Sequence, residues 1–338
     1  MVPFAGWRMP VQYTGIIDEH LHTRANAGLF DICHMGEFYL RGKGAADDVD
    51  RLVTCRTDNQ ADGQCKYGFL LDEQGGVLDD LITFRISEEE YLLVVNAASL
   101  ERDRQWIESH LSPDTEFADE SDRTGKIDLQ GPKSEYIMIQ LLGPGALSAL
   151  HRFRCRYVKI NGVRVLLSRT GYTGEHGYEL FFPIESTETL WDLLLSYPPV
   201  KPVGLGARDT LRIEKGLPLY GHELNEHRTP LEANFERFVY WDKAFIGRKA
   251  LQQQKQQGIR QRLTGFVCEG RRAAREGYAI FQNEKEIGIV TSGAFSPCLK
   301  KGIGMAYVNP DRIEEGASIQ IRTDRAEIEA TISSVPFL

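Results

Sequence analysis

Apolar positions along this chain recur at two spacings, and the two alternate irregularly. Helical spacing marks Asp18 to Ala27, Ala45 to Val53, Leu100 to Leu111, Tyr136 to Leu150 and Thr187 to Leu195. Gly206 to Gly216 also reads as a helix, with Leu211 and Ile213 set between Arg212 and Glu214. Strand-like runs fall at Gly36 to Arg41, Tyr91 to Val95, Val163 to Ser168 and Tyr178 to Phe182. Tyr67 to Leu71 and Val77 to Phe84 form the two arms of a hairpin. Gly75-Gly76 lies between them and can supply the positive φ of a tight turn.

Past residue 250 the pattern changes. Gln252 to Gln261 is polar and reads as a linker. Beyond it come short alternating runs at Leu263 to Cys268, Ile287 to Thr291, Gly304 to Val308, Ser318 to Arg322 and Ala326 to Ile332. Evenly spaced short strands with turn residues between them predict a small all-β barrel. The fold class is therefore α+β, with a mixed body followed by a C-terminal β-barrel.

Composition narrows the function classes. The 338 residues are 42% hydrophobic and 26% charged, which is ordinary for a globular protein able to bury a sizeable core. The formal net charge of -8 argues against general affinity for nucleic acid or acidic membranes. Cysteines 33, 55, 65, 155, 268 and 298 show no Cys-x-x-Cys spacing, so neither a zinc knuckle nor a thioredoxin-like site is expected. Cys33 and His34 are neighbours and cannot both ligate from one extended face, so no metal site is expected. No apolar run reaches transmembrane length and no signal-peptide core opens the chain, so a cytoplasmic location is expected. Gly204-Leu-Gly206 is no dinucleotide fingerprint, because Asp209 occupies the third glycine position.

Four local runs go further: Phe30-Asp-Ile-Cys-His-Met-Gly-Glu37, Gly75-Gly-Val-Leu-Asp-Asp-Leu-Ile82, Ser168-Arg-Thr-Gly-Tyr-Thr-Gly-Glu175 with Tyr178-Glu-Leu180, and Gly204-Leu-Gly-Ala-Arg-Asp209 with Leu219-Tyr-Gly-His-Glu223. With Phe4-Ala-Gly-Trp7, Gln130-Gly-Pro132 and Thr291-Ser-Gly-Ala-Phe-Ser-Pro297 they cover nearly the whole chain. In this order they resemble the aminomethyltransferase (T-protein) family of the glycine cleavage system. Family members usually carry a further short segment ahead of the Phe-Ala-Gly-Trp run.

The resemblance implies three domains around a central channel that holds tetrahydrofolate. The expected division is a folate-binding body over 1–250, one of its two intertwined subdomains spanning roughly 35–115, then a linker at 251–262 and a barrel at 263–338. It implies transfer of a one-carbon unit from an aminomethyl-lipoyl carrier, the H-protein, to tetrahydrofolate, giving 5,10-methylenetetrahydrofolate and ammonia in glycine catabolism. A monomer is expected.

The residues themselves carry part of this. Asp79 and Asp80 open a strand, where neighbours point to opposite faces. The bland reading is a solvated pair. The resemblance assigns Asp80 to catalysis, where a carboxylate suits a step that develops positive charge and moves a proton. Asp79 keeps the bland reading, capping the turn or facing water. In Thr170-Gly-Tyr-Thr-Gly174 the glycines read as a tight turn, or as backbone that lets a flat ring approach Tyr172.

Glu179 would, on residue type alone, be surface-exposed. By resemblance it reads the adjacent N–H donors of a pterin. Arg208 reads as a partner of Asp209 or another helix carboxylate; by resemblance it contacts folate and places the glutamate. Met35, Tyr67 and Asn96 match positions lining the ligand channel, although a lone Met or Tyr is more often core.

Some positions depart from the family. Phe84 and Phe153 stand where tyrosines are usual, Asn234-Phe-Glu-Arg237 replaces an apolar glycine-rich stretch, and Lys126-Ile-Asp128 sets charges in an apolar strand. Phe84, Phe153 and the 234–237 run keep open a related tetrahydrofolate-dependent demethylase with another one-carbon donor; the alternative from a different class, the second, is a non-enzymatic folate-binding assembly factor. The second lacks support at Lys243-Ala-Phe-Ile-Gly-Arg248, where such relatives carry a cysteine. Arg271, Arg272, Arg275, Lys300 and Lys301 are the candidate positive surface for an acidic carrier, or plain solubilising charge.

Overall fold

The fold is described from a computed structural model, over residues 1–323 and 326–338. Backbone contacts divide the chain into two units. The first is Met1–Gly68 with Leu81–Arg208, and the second is Phe69–Asp80 with Asp209–Leu338. The predicted hairpin therefore has its stem in one unit and its tip in the other.

In the first unit a six-stranded sheet runs in the order Cys155–Ile160, Val163–Ser168, Gly177–Pro183, Thr124–Gln130, Ala27–Asp31, Val200–Pro202. All neighbours are antiparallel except the last pair. Helices Ser134–Leu142 and Thr187–Leu195 cover one face. There Ile127, Leu129, Val165, Leu167, Leu180 and Phe182 meet Ile137, Met138, Leu190 and Leu194 in one buried cluster. A second sheet has the order Cys65–Leu71, Val77–Ser87, Glu90–Val95, Gly36–Arg41, Glu116–Asp119. The two sheets meet through Phe84, Leu92, Val94 and Cys65 on one side and Cys155, Leu166 and Phe181 on the other.

The hairpin tip belongs to the second unit. Asp72 closes it. Its carboxylate accepts from Gln74 N at 2.8 Å and Gly76 N at 2.9 Å. Gly75 takes the positive φ of 85° that the turn requires. A side chain at Gly76 would strike the Glu226 carbonyl, so that glycine serves close approach instead.

The second unit also holds the expected barrel. It closes through Arg262–Cys268, Lys301–Val308, Lys285–Ser296, Ala279–Gln282, Ser318–Arg322 and Glu327–Ser333 in that order, around Phe266, Ile280, Ile319, Ile321, Ile328 and Ile332. The strand Ala279–Gln282 was not foreseen, being only four residues long. The polar run expected to be a linker is helical over Arg248–Gln257, anchored by fully buried Leu251. Among the described residues no helix is long and apolar enough to cross a membrane.

Two of the sequence runs earn their place structurally. Arg212 is buried and donates to Asp209 (2.8 Å), Glu223 (2.8 Å) and Ser292 (2.8 Å). Glu223 also accepts from Thr291 at 2.6 Å. The Leu219 to Glu223 and Thr291 to Pro297 runs thus tie residues 209–214, the second-unit part of the helix Leu205–Glu214, to the barrel.

Candidate active site

The strand Thr124–Gln130 alternates Lys126, Asp128 and Gln130 with Ile127 and Leu129. The apolar set enters the helix-covered core. The polar set faces the other way, yet it does not reach water: Lys126 is 2% exposed, Asp128 0% and Gln130 0%. Register sets Glu179 opposite Asp128, with Ser168 opposite Glu179 on the next strand. Buried charge is costly unless paired, and each group here has a partner.

Lys126 Nζ lies 3.2 Å from Glu179 Oε1 and 4.8 Å from the centre of the Phe181 ring. The Thr170 hydroxyl donates to Glu179 Oε2, and Ser168 and Thr170 share a 2.5 Å hydrogen bond. Arg208 Nη1 lies 3.5 Å from Asp128 Oδ2, with neither atom in a hydrogen bond, so charge alone holds that pair. The Arg208 guanidinium sits 4.9 Å over the Tyr172 ring. Asp209, the expected partner of Arg208, is instead bound to Arg212. Glu179 is only 7% exposed, which overturns the surface position its residue type suggested.

The loop 170–174 has a different reason for its first glycine than ring approach. A Cβ at Gly171 would lie 2.1 Å from the Gln130 amide, and one at Gly177 would strike the same group. Both glycines make room for Gln130, which donates to the Thr170 carbonyl (3.0 Å) and accepts from Thr173 (2.9 Å). The Gln130-Gly-Pro132 and Thr170 to Gly174 runs are therefore one packed unit. Arg208 is set by the start of its helix. Glu19 Oε2 accepts from Gly204 N at 2.9 Å, while Oε1 accepts from Tyr13 N at 2.6 Å and Thr14 N at 2.7 Å.

Low polarity shifts the titration of this region. Burial pushes the Asp128 carboxyl up to about 7, with Glu179 adding to the rise and Arg208 opposing it. Burial also pushes Glu37 up to about 8, against the pull of Lys126, and neither of its carboxyl oxygens has a hydrogen bond. Burial, aided by Arg208 and Lys126, lowers His34 to about 3, so it is neutral at physiological pH. A pocket of about 320 Å³ in the same unit is lined by His34, Asp31, Tyr13, Trp7 and Met9. None of the expected ligand residues lines it.

Of the other expected site residues, Met35 packs against the Phe84–Phe181 cluster. Tyr67 and Asn96 are half-buried on the five-stranded sheet, Asn96 at the end of the strand Glu90–Val95. Asp80, in the second unit, is half-buried on Val77–Ser87. Asp79 is fully buried, so the expectation that it caps the turn or faces water fails. Asp72 takes the turn instead. Lys126 and Asp128 appeared in the sequence only as departures. Glu37, Thr170 and Gln130 had no separate signal beyond lying in or beside the recognised runs.

Comparison with known proteins adds the decisive observation. Residues 1–243 match the GCVT N-terminal domain, and residues 261–338 match the glycine cleavage T-protein C-terminal barrel domain. The chain belongs to the glycine cleavage T-protein family. It is 41% identical to an aminomethyltransferase of Halothermothrix orenii, covering 100% of this chain and 96% of that protein. It is 44% identical to one of Caldanaerobacter subterraneus subsp. tengcongensis, covering 98% and 90%. The crystal structure of glycine cleavage system aminomethyltransferase T from Bartonella henselae superposes with a TM-score of 0.94 at 33% identity, covering 100% of this chain and 93% of that one. The T-protein fold and an aminomethyltransferase activity in glycine cleavage follow. The alternatives of another one-carbon donor or a non-enzymatic factor are not favoured. Phe84 is fully buried and edge-on to Phe181 at 5.5 Å, a packing role that needs no hydroxyl.

Proposed function

We propose that this T-protein moves the aminomethyl carbon of a lipoylated H-protein to tetrahydrofolate, releasing ammonia and the reduced lipoyl arm. Folate N5 attacks the methylene carbon. The bonds from that carbon to nitrogen and to sulfur break in turn, and N10 closes the bridge. The two protons lost from N5 and N10 leave on ammonia and on the thiol. Asp80 is the catalytic carboxylate that stabilises developing positive charge and handles the N5 proton. Glu179 accepts from the pterin N–H donors, Arg208 and Tyr172 flank the ring, and Met35, Tyr67 and Asn96 line the path.

The observation that carries this reading is Glu179, a buried carboxylate held by Thr170 and Lys126 on a sheet face beside Arg208 and Tyr172. A site built to accept paired N–H donors from a flat ring needs such a group. The division into a 1–250 body, a 251–262 linker and a 263–338 barrel, a central folate channel, a cytoplasmic location and a monomeric state belong to the same reading.

The carrier would meet the exposed cluster Arg271, Arg272, Arg275, Lys300 and Lys301. Arg271 stacks at 4.7 Å on Phe295, and Phe295 pairs with Gly302 beside Lys301, which supports a shared surface for at least these two cations. The test is ammonia release from aminomethyl-lipoyl H-protein with tetrahydrofolate. Turnover that needs both substrates supports the reading; absence of turnover with both present refutes it.

A further inference from the structure

Lys126 stands out as a cation only 2% exposed, on a strand whose same face carries the buried Asp128 and Gln130. A cation is not needed there for stability, since a buried ion pair seldom outperforms apolar residues of similar volume. Its ammonium is nevertheless held in one place, 3.2 Å from Glu179 Oε1 and against the Phe181 ring. Glu179 Oε2 is fixed by Thr170. Each carboxylate oxygen can accept twice, and an ammonium carries three donors. The pair with its threonine therefore keeps unused capacity in a fixed order: donor at Lys126, acceptor at Oε1, acceptor at Oε2.

We propose that Lys126 is a specificity-determining residue that, with Glu179, reads the 2-amino-4-oxo edge of the substrate ring. That edge presents a carbonyl, a ring N–H and an amino group side by side. Its sequence of acceptor, donor, donor is the complement of the protein's donor, acceptor, acceptor. Lys126 donates to the carbonyl while Glu179 accepts from the two N–H groups. Lys126 thus selects the 4-oxo form over a 2,4-diamino ring, whose 4-amino group would confront the ammonium with another donor. This inference rests on the folate reading of the Glu179 site.

The test measures dissociation constants for tetrahydrofolate and its 2,4-diamino counterpart on the full chain. The parent should prefer the 4-oxo ligand by about tenfold or more, the effect of one charge-assisted hydrogen bond. Lys126→Met should lose a clear part of that preference, because the diamino ligand gains relative to the oxo ligand; the remainder stays with Glu179, since a 2,4-diamino ring has no N3–H for it to accept. The ratio cancels any general loosening of the site. Should Lys126→Met fail to fold, Lys126→Gln keeps one amide donor and is expected to give an intermediate ratio. A parent that binds both ligands equally, or a ratio unchanged in the folded variant, overturns the proposal. Glu179→Gln separates the two levels. If it binds both ligands as the parent does, the folate reading of the site fails; if it loses both while the Lys126 ratio stays fixed, only the lysine's role fails.

Discussion

The strand Thr124–Gln130 and the barrel strands Ser318–Arg322 and Glu327–Ser333 share a pattern, apolar residues alternating with polar ones. In the barrel the polar half does what alternation suggests. Ile319, Ile321, Ile328 and Ile332 fill the core while Glu327 and Glu329 stand in water. In the six-stranded sheet the polar half is buried, and Lys126, Asp128 and Gln130 pair with Glu179, Arg208 and the 170–174 loop. Alternation identifies a strand with one apolar face. It does not say whether the other face meets solvent or a site.

The sharpest test of that contrast removes one charge from the buried row. Lys126→Ala leaves Glu179 without its cation in a low-polarity setting. It should cost about 3–5 kcal/mol of stability, the penalty of breaking a buried pair. Replacing both partners by leucine should recover most of the loss, because no lone charge remains. Denaturant unfolding of the single and double variants measures both. A single variant as stable as the parent would mean the pair is far better hydrated than its burial implies.

Next in size is the carboxylate on the hairpin that we propose as catalytic. Asp80→Asn keeps size and some hydrogen bonding but loses the negative charge and the proton-accepting capacity. Turnover should fall about 10²-fold, equivalent to about 2.7 kcal/mol of activation free energy, with the fold kept. Asp79→Asn should act differently. Its side chain is wholly buried, so the loss should appear in melting temperature rather than in the catalytic step. Steady-state rates under saturating substrates, set beside melting curves, separate the two. A crippled rate for Asp79→Asn with a normal one for Asp80→Asn would exchange the roles.

These two neighbours also mark how far the sequence could be read. The runs that carry the family resemblance led correctly to the α+β body and the closed barrel; they also singled out Glu179 and Arg208, which the fold brings to one face. Strands with a turn signal or a long apolar run were visible. Those lacking either, such as Ala27–Asp31, Cys155–Ile160 and Ala279–Gln282, were not, because their apolar content is short or their neighbours hide it. Burial of polar groups was the harder quantity. Asp79 looked like a turn residue and is core; Glu179 looked exposed and is enclosed. Both depend on what covers the strand from another part of the chain, which local pattern does not contain. The same holds for Asp128 as partner of Arg208, a choice made across 80 residues rather than within the helix.

A third effect is spread over pH. Glu37 has its usual value of 4.5 raised to about 8 by burial, so the folded chain keeps a proton that the unfolded chain gives up. Its stabilising contribution is complete below pH 4.5 and is lost as pH rises through about 8. Within that window the slope is about 1.4 kcal/mol per pH unit for one such group. Asp128, raised to about 7, adds to the same trend. Glu37→Gln should flatten the decline, so the variant gains on the parent between pH 5 and 8. Melting temperatures across that range are the check, and parallel curves would show that Glu37 is ionised in the folded chain.

The smallest effect is expected on the barrel, and it completes the contrast. Gln320 and Glu329 face each other across neighbouring strands on the outer side, as Lys126 and Phe181 do within the sheet of the first unit. Glu329 is exposed, so its charge stays hydrated and its removal uncovers no lone partner in an apolar medium. Removing such a side chain takes away a solvated group and a little strand propensity, each worth a few tenths of a kcal/mol. Glu329→Ala should therefore change stability by no more than about 0.5 kcal/mol, and its curve should follow the parent's across pH 5 to 8. The comparison with Lys126→Ala uses two strands of one alternating pattern and differs mainly in what lies over the polar face. If Glu329→Ala cost as much as Lys126→Ala, burial would not be what distinguishes the two strands. The barrel's outer face would then have to be covered in solution by something that makes the same demand for paired charge.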